Sequence, residues 1–185
     1  GAVFVVIAYG SEGYFTLIGA SVIVGMVLAS FLCPLVLRVM TGKSLILWSS
    51  LVAAVFYVLM YVAGFENIVA VVAFIFLTGL SLGIFVVVQT TMIADAVDDI
   101  ERRTGIRNDG ISFSTLTFVS KVMSALAVLV FGAIIVIAGY QAGVTVTPQM
   151  QNIVFIGLTL VPAASCLVSA VPFLFYRLRT PVHTS

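Results

Sequence analysis

Charge is what this sequence has least of. Only 8% of its 185 residues are Asp, Glu, Lys or Arg, against 62% hydrophobic, whereas soluble domains carry about 25% charged residues. A globule this poor in charge could not cover its own surface. That excludes an ordinary soluble enzyme, a disordered segment and a nucleic-acid binder. Histidine is nearly absent too. The single copy, His183, sits in the polar C-terminal tail, so neither a His-based triad nor a two-His metal site can be assembled. The two cysteines, Cys33 and Cys166, each lie inside an apolar run with no Cys or His at ligand spacing. They read as small buried side chains rather than as a zinc site or a disulfide framework. A nucleotide motif is also missing: Thr41-Gly42-Lys43-Ser44 ends like a phosphate loop but has no glycine five residues before Gly42. An intramembrane serine protease would need a paired general base, and no span holds a His.

What is present in quantity is long apolar runs. A membrane-spanning helix needs about 20 apolar residues. Five segments qualify: Tyr14–Leu37, Leu45–Ala63, Ile68–Ala94, Ile111–Ala138 and Met150–Tyr176. The runs are continuous rather than alternating, and too long for barrel strands of about 10 residues. The expected fold is therefore all-α, a polytopic transmembrane helix bundle. Gly1–Ala8 is apolar from its first residue and lacks a basic n-region, so it reads as the stub of a preceding span in a longer chain rather than a signal peptide. The connections are Tyr9–Gly13, Met40–Lys43, Gly64–Asn67, the charged stretch Asp95–Gly110, expected to be a loop, and Gly139–Gln149.

Basic residues set the orientation. Arg38, Lys43, Arg102, Arg103, Arg107, Arg177 and Arg179 all fall at alternate connections or at the C-terminus on that same side, and the other connections have none. The positive-inside rule makes those connections and the C-terminus cytoplasmic.

The eighth basic residue is Lys121, about ten residues into the fourth span. At 1.5 Å per residue it lies ~15 Å deep, near the middle of the bilayer. A lysine there costs at least about 2.5 kcal/mol on insertion scales and is too deep to snorkel. It is expected to face a cavity or a partner of opposite charge; the plain alternative is a lysine neutralised by a neighbouring helix for packing alone. Ser114, Thr117, Lys121 and Ser124 are spaced 3, 4 and 3, so they share one helical face. An ammonium among hydroxyls suits a polar, hydroxyl-rich ligand, although Ser and Thr also bond back to helix carbonyls. Gln89 is a further polar residue at membrane depth. Gly79 and Gly83 form a G-x-x-x-G in the third span and predict close helix packing. The charged stretch sets Asp95, Asp98, Asp99, Glu101 and Asp109 against Arg102, Arg103 and Arg107. It reads either as a solvated loop or as ion pairs of a gate.

From Ala94 to Gly110 the sequence runs ADAVDDIERRTGIRNDG. This resembles the signature A-D-x-x-D-Y-G-E-x-x-T-G-x-R-x-E-G of the glycoside–pentoside–hexuronide:cation symporters, the melibiose permease group of the major facilitator superfamily. Asp95, Asp98, Glu101, Thr104, Gly105, Arg107 and Gly110 fall on the signature; Thr117, Lys121, Ser124 and Ala125 match the span that follows it. The family's Tyr-Gly is Asp99-Ile100 here, its late Glu is Asp109, and Val86 stands where melibiose-type members have Trp. The last change removes a stacking surface for a sugar ring.

The resemblance implies the C-terminal half of a twelve-helix transporter in a bacterial inner membrane, and no enzyme. Its expected partners are a small sugar or glycoside, membrane lipid and the N-terminal half. No cofactor is implied beyond a coupling Na+ or H+. Lys121, Thr117, Gln89, Ser114 and Ser124 are the expected cavity residues; Asp95, Asp98, Glu101, Arg102, Arg103 and Arg107 are the expected cytoplasmic gate. The alternatives at this point are a facilitator-fold carrier of lipids or other amphiphiles and a non-transporting membrane subunit.

Overall fold

The structure is a computed structural model and describes residues 13–105, 109–139 and 146–175. Among these residues it consists of five helices and no strand: α1 (Gly13–Leu37), α2 (Gly42–Ala63), α3 (Ile68–Thr104), α4 (Asp109–Ile137) and α5 (Pro148–Phe175). All five are long and apolar enough to cross a membrane. The expected stub Gly1–Ala8, Arg107 and the tail Arg177–Ser185 lie outside the described residues.

The helix starts are set by local chemistry. Thr41 caps α2 by accepting the Ser44 N–H, and Asn67 caps α3 by accepting from Val69 and Ala70. Thr147 accepts the Met150 N–H at 3.3 Å just ahead of Pro148, whose missing N–H costs nothing in a first turn. Pro34, Pro162 and Pro172 lie inside helices, a placement that spanning helices tolerate when neighbours satisfy the freed carbonyl.

The third helix departs from expectation. The stretch expected to be a loop from Asp95 is helical through Thr104, and α3 has 37 residues, which makes it ~55 Å long against a hydrocarbon core of about 30 Å. The charges end the membrane crossing without ending the helix. No Gly or Pro interrupts Ala94–Thr104, Arg102 and Arg103 stand in the last turn, where they complement the helix dipole, and Val97 is buried. The helix stops at Gly105, which takes the left-handed conformation (φ 72°) and returns its N–H to Glu101.

The bundle is built around α3. It packs on one side against α1 and on another against α2, and α2 in turn packs against α5; α1 and α2 barely touch. The α1–α3 crossing is a backbone-to-backbone contact. A methyl group placed on Gly79 would lie 2.8 Å from the Val22 carbonyl oxygen, one on Gly83 2.6 Å from the Ala29 Cβ, and one on Gly25 2.6 Å from the Phe76 carbonyl oxygen. The G-x-x-x-G of α3 thus meets Gly25 and Ala29 of α1, as the spacing predicts. Two apolar clusters close the ends. Cys33, Leu45, Ile46, Val88 and Met92 pack near the α1–α2 turn; Met60, Val71, Ile75, Ala138, Val154 and Phe155 pack at the opposite end. Phe85–Phe173 and Phe65–Phe155 make edge-on ring contacts at 6.2 and 5.4 Å. Lipid tails are as apolar as these side chains, so the association rests on close packing rather than on transfer from water.

The fourth helix stands apart. It touches α3 and α5 only lightly and has no buried residue.

Candidate functional site

Lys121 lies midway along α4 on a surface that no other described residue buries, and it is exposed. Among the described residues no carboxylate lies within ion-pair distance of it. Helical spacing puts Ser114, Thr117 and Ser124 on the same face, and the hydroxyls turn back to their own helix. Ser114 donates to the Gly110 carbonyl, Thr117 to Phe113 at 2.9 Å, Ser120 to Leu116 at 2.8 Å and Ser124 to Ser120 at 2.8 Å. Back-bonding uses each hydroxyl proton and leaves its oxygen lone pairs to accept. The face therefore offers acceptors from the hydroxyls and three donors from the ammonium. Gln89 is half-buried on α3, and its neighbours Thr90 and Thr91 bond back to Val86 and to Val87 and Val88.

Two cavities lie elsewhere. The larger, about 710 Å³, is an aliphatic cleft between α4 and α5 bordered by Ile134, Ile153, Leu160 and Val168. The smaller, about 230 Å³, lies between α2, α3 and α5 and is lined by five serines. None of the five residues expected from the sequence to form a cavity borders either space. Sequence reasoning missed the serine-lined cavity because its residues come from three helices. The one local signal is the pair of small-residue clusters Ser49-Ser50 and Ser165-Cys166. Cys33 is fully buried, as a packing cysteine should be, whereas Cys166 is only partly buried and borders the serine cavity.

The expected gate residues sit on the projecting end of α3. Asp95, Asp98, Arg102 and Arg103 are exposed and Glu101 is half-buried. Arg103 pairs with Asp99 at 3.0 Å, one turn back on the same helix. That pair fastens a helical turn, and at 72% and 37% side-chain exposure a pair of this kind contributes about 0.3–0.5 kcal/mol. Lys43, at the start of α2, reaches across to donate to the Leu174 carbonyl at 3.0 Å. It thereby places a cation on the carboxyl end of α5, where the helix dipole favours it.

The described residues thus comprise five apolar helices, one of them with no buried residue and carrying a lysine that forms no ion pair among them. Comparison with known proteins bears on this directly. Neither a curated protein nor a solved structure matches the chain. Residues 4–180, nearly its whole length, match the family described as MFS/sugar transport protein. The chain is an integral membrane protein that belongs to this family of major facilitator superfamily transporters.

Proposed function

We propose that the chain forms the C-terminal half of a secondary active transporter of the melibiose permease type, in which cation-coupled symport carries a sugar or glycoside by alternating access. The observation that carries this reading is Lys121 on the open face of α4. An ammonium at that depth cannot stand against lipid without heavy cost, and nothing within the described residues shelters it. A face of this kind belongs against a polar cavity shared with a second bundle, here the N-terminal half, near the midplane where such carriers bind solute.

In this reading Lys121 donates to substrate hydroxyls, and the oxygens of Thr117, Ser114 and Ser124 accept from them. Gln89 approaches the same space from α3. The coupling Na+ or H+ is met mainly by carboxylates of the other half. Asp95, Asp98, Glu101, Arg102, Arg103 and Arg107 serve the cytoplasmic gate, and the membrane is a bacterial inner membrane with the C-terminus inside.

Uptake of labelled glycosides into vesicles under an imposed sodium or proton gradient tests it. Gradient-dependent uptake that Lys121→Ala lowers by about 100-fold is the expected result, matching loss of a charged hydrogen bond of about 2–3 kcal/mol. No uptake of any glycoside by the intact protein would remove the symport reading. Intact uptake by Lys121→Ala would remove only the site assignment.

A further inference from the structure

The larger of the two cavities lies on the far side of α4 from the lysine. At 3.6 residues per turn, Ile134 and Ile137 are turned by roughly 140° and 160° about the α4 axis from Lys121, and both border the cleft against α5. On α5, Leu160, Ala164 and Val168 follow one another at four-residue spacing, along the face opposite the buried Phe155 and Thr159. The cleft opens outward: Ile137 and Val168 at its margins are 74% and 69% exposed.

Its walls offer nothing to a polar ligand. Among the described residues no charged side chain borders it. Ser165 and Ser169 do, but their hydroxyls turn to the Val161 carbonyl at 3.0 Å and the Cys166 carbonyl at 2.8 Å. The stretch of α5 from Ile153 to Ser169 is ~24 Å long at 1.5 Å per residue, within a hydrocarbon core of about 30 Å. Ile134 seats on Gly157, where an added methyl group would lie 2.7 Å from its side chain. Beside that contact the two helices leave an opening of about 710 Å³. Left empty, such a groove would forfeit the dispersion contacts of its walls, and a polar solute inside it would lose its hydrogen bonds.

We propose that this cleft seats an acyl chain of a membrane phospholipid between α4 and α5. The orientation of α4 selects that occupant, and here the proposal rests on the reading that Lys121 faces a polar cavity. An ammonium is too costly to turn toward lipid. With the lysine side of α4 turned to the solute, the opposite side, where the cleft opens, is turned to hydrocarbon. A flexible, unbranched chain can follow the ridged wall of branched side chains and fill the space that the two helices leave.

Photolabelling tests this. The intact protein is placed in membranes containing a phosphatidylcholine with a diazirine in its acyl chain, and peptide mass analysis after irradiation locates the adducts. Leu51 and Val55, at the middle of α2 and 45% and 48% exposed, are the controls for Leu160 and Val161, at the middle of α5 and 37% and 40% exposed. A chain held in contact with the cleft walls should label Leu160 and Val161 at least about fivefold more than Leu51 and Val55. Ala164→Phe, which fills the cleft, should remove the excess. Equal labelling in the unsubstituted protein overturns the proposal, since lipid then only passes over the surface. Labelling of the controls alone overturns it as well, since a protein segment then covers the cleft. An excess that survives in a folded Ala164→Phe protein places the chain elsewhere and also overturns it. No solute or gradient enters the measurement, so its failure leaves the symport reading standing, and failure of that reading shows in uptake alone.

Discussion

A single methyl group decides the α1–α3 crossing. At Gly79 and Gly83 the added carbon would meet backbone or Cβ atoms of α1 at 2.8 and 2.6 Å, and neither helix can yield without separating. Gly83→Ala is expected to destabilise the bundle by about 1–3 kcal/mol, the usual cost of overpacking, seen as a lower melting midpoint in detergent. Gly19→Ala, on the same α1 with open space around the added carbon, should leave the midpoint within error. Under the proposed function Lys121 is the opposite kind of residue, costly to membrane insertion and retained for contact with the solute. Lys121→Leu is expected to insert into membranes better than the native chain, by about 2.5 kcal/mol or more on insertion scales, and to abolish glycoside uptake. Higher membrane yield with lost uptake is the signature; unchanged uptake would show that the ammonium does not touch the solute.

At the scale of elements, α3 is one rod with two different parts. Its membrane part packs on α1 and α2, and its projecting end carries the acid–base cluster. Ala96→Pro would remove an internal hydrogen bond and clash with the preceding turn, at a cost of about 3 kcal/mol or more. Circular dichroism should show lost helix, and under the proposed gate role transport should fail as well. Arg103→Gln is milder. Loss of the Asp99 pair should shift stability by less than about 0.5 kcal/mol, so any large fall in transport rate would mark Arg103 as a gate residue rather than a helix staple. Between α2 and α5, Lys43→Met removes the 3.0 Å bond to the Leu174 carbonyl. Faster amide hydrogen exchange over the last turn of α5 is the expected outcome, since that turn loses its cation.

For the whole molecule, the uneven distribution of contacts matters most. Four helices form a connected body, while α4 leans on it with no buried residue. Its outward side includes Phe118 at 69% exposure and Leu129 at 68% beside the lysine stripe. One helix thus presents both an apolar and a polar surface, which suits a helix lying between lipid or protein on one side and a cavity on the other. A cysteine at Thr117 should react with water-soluble thiol reagents and be protected by the transported solute, whereas one at Leu129 should react slowly and show no protection.

The class and the number of candidate spans were legible from the residues because hydrophobicity acts locally. Twenty apolar residues form a spanning helix whatever their neighbours are, and arginines stay at the aqueous surface. The Gly79–Gly83 spacing foretold a close crossing for the same reason, since a bare helical face admits another backbone. Two matters needed the tertiary structure. Charge at Asp95 looked like the end of a helix, but helix formation depends on backbone propensity, and α3 runs on to Gly105. The serine cavity was invisible because Ser50, Ser81 and Ser165 are far apart in sequence and each is an ordinary helical serine alone. Only the meeting of α2, α3 and α5 leaves the Ser50 hydroxyl buried beside a space that packing does not fill. The sequence determined which segments enter the membrane, since that depends on each segment's own transfer energy. The tertiary structure decided which polar groups inside it are exposed, paired or enclosed, since that depends on what the other helices place beside them.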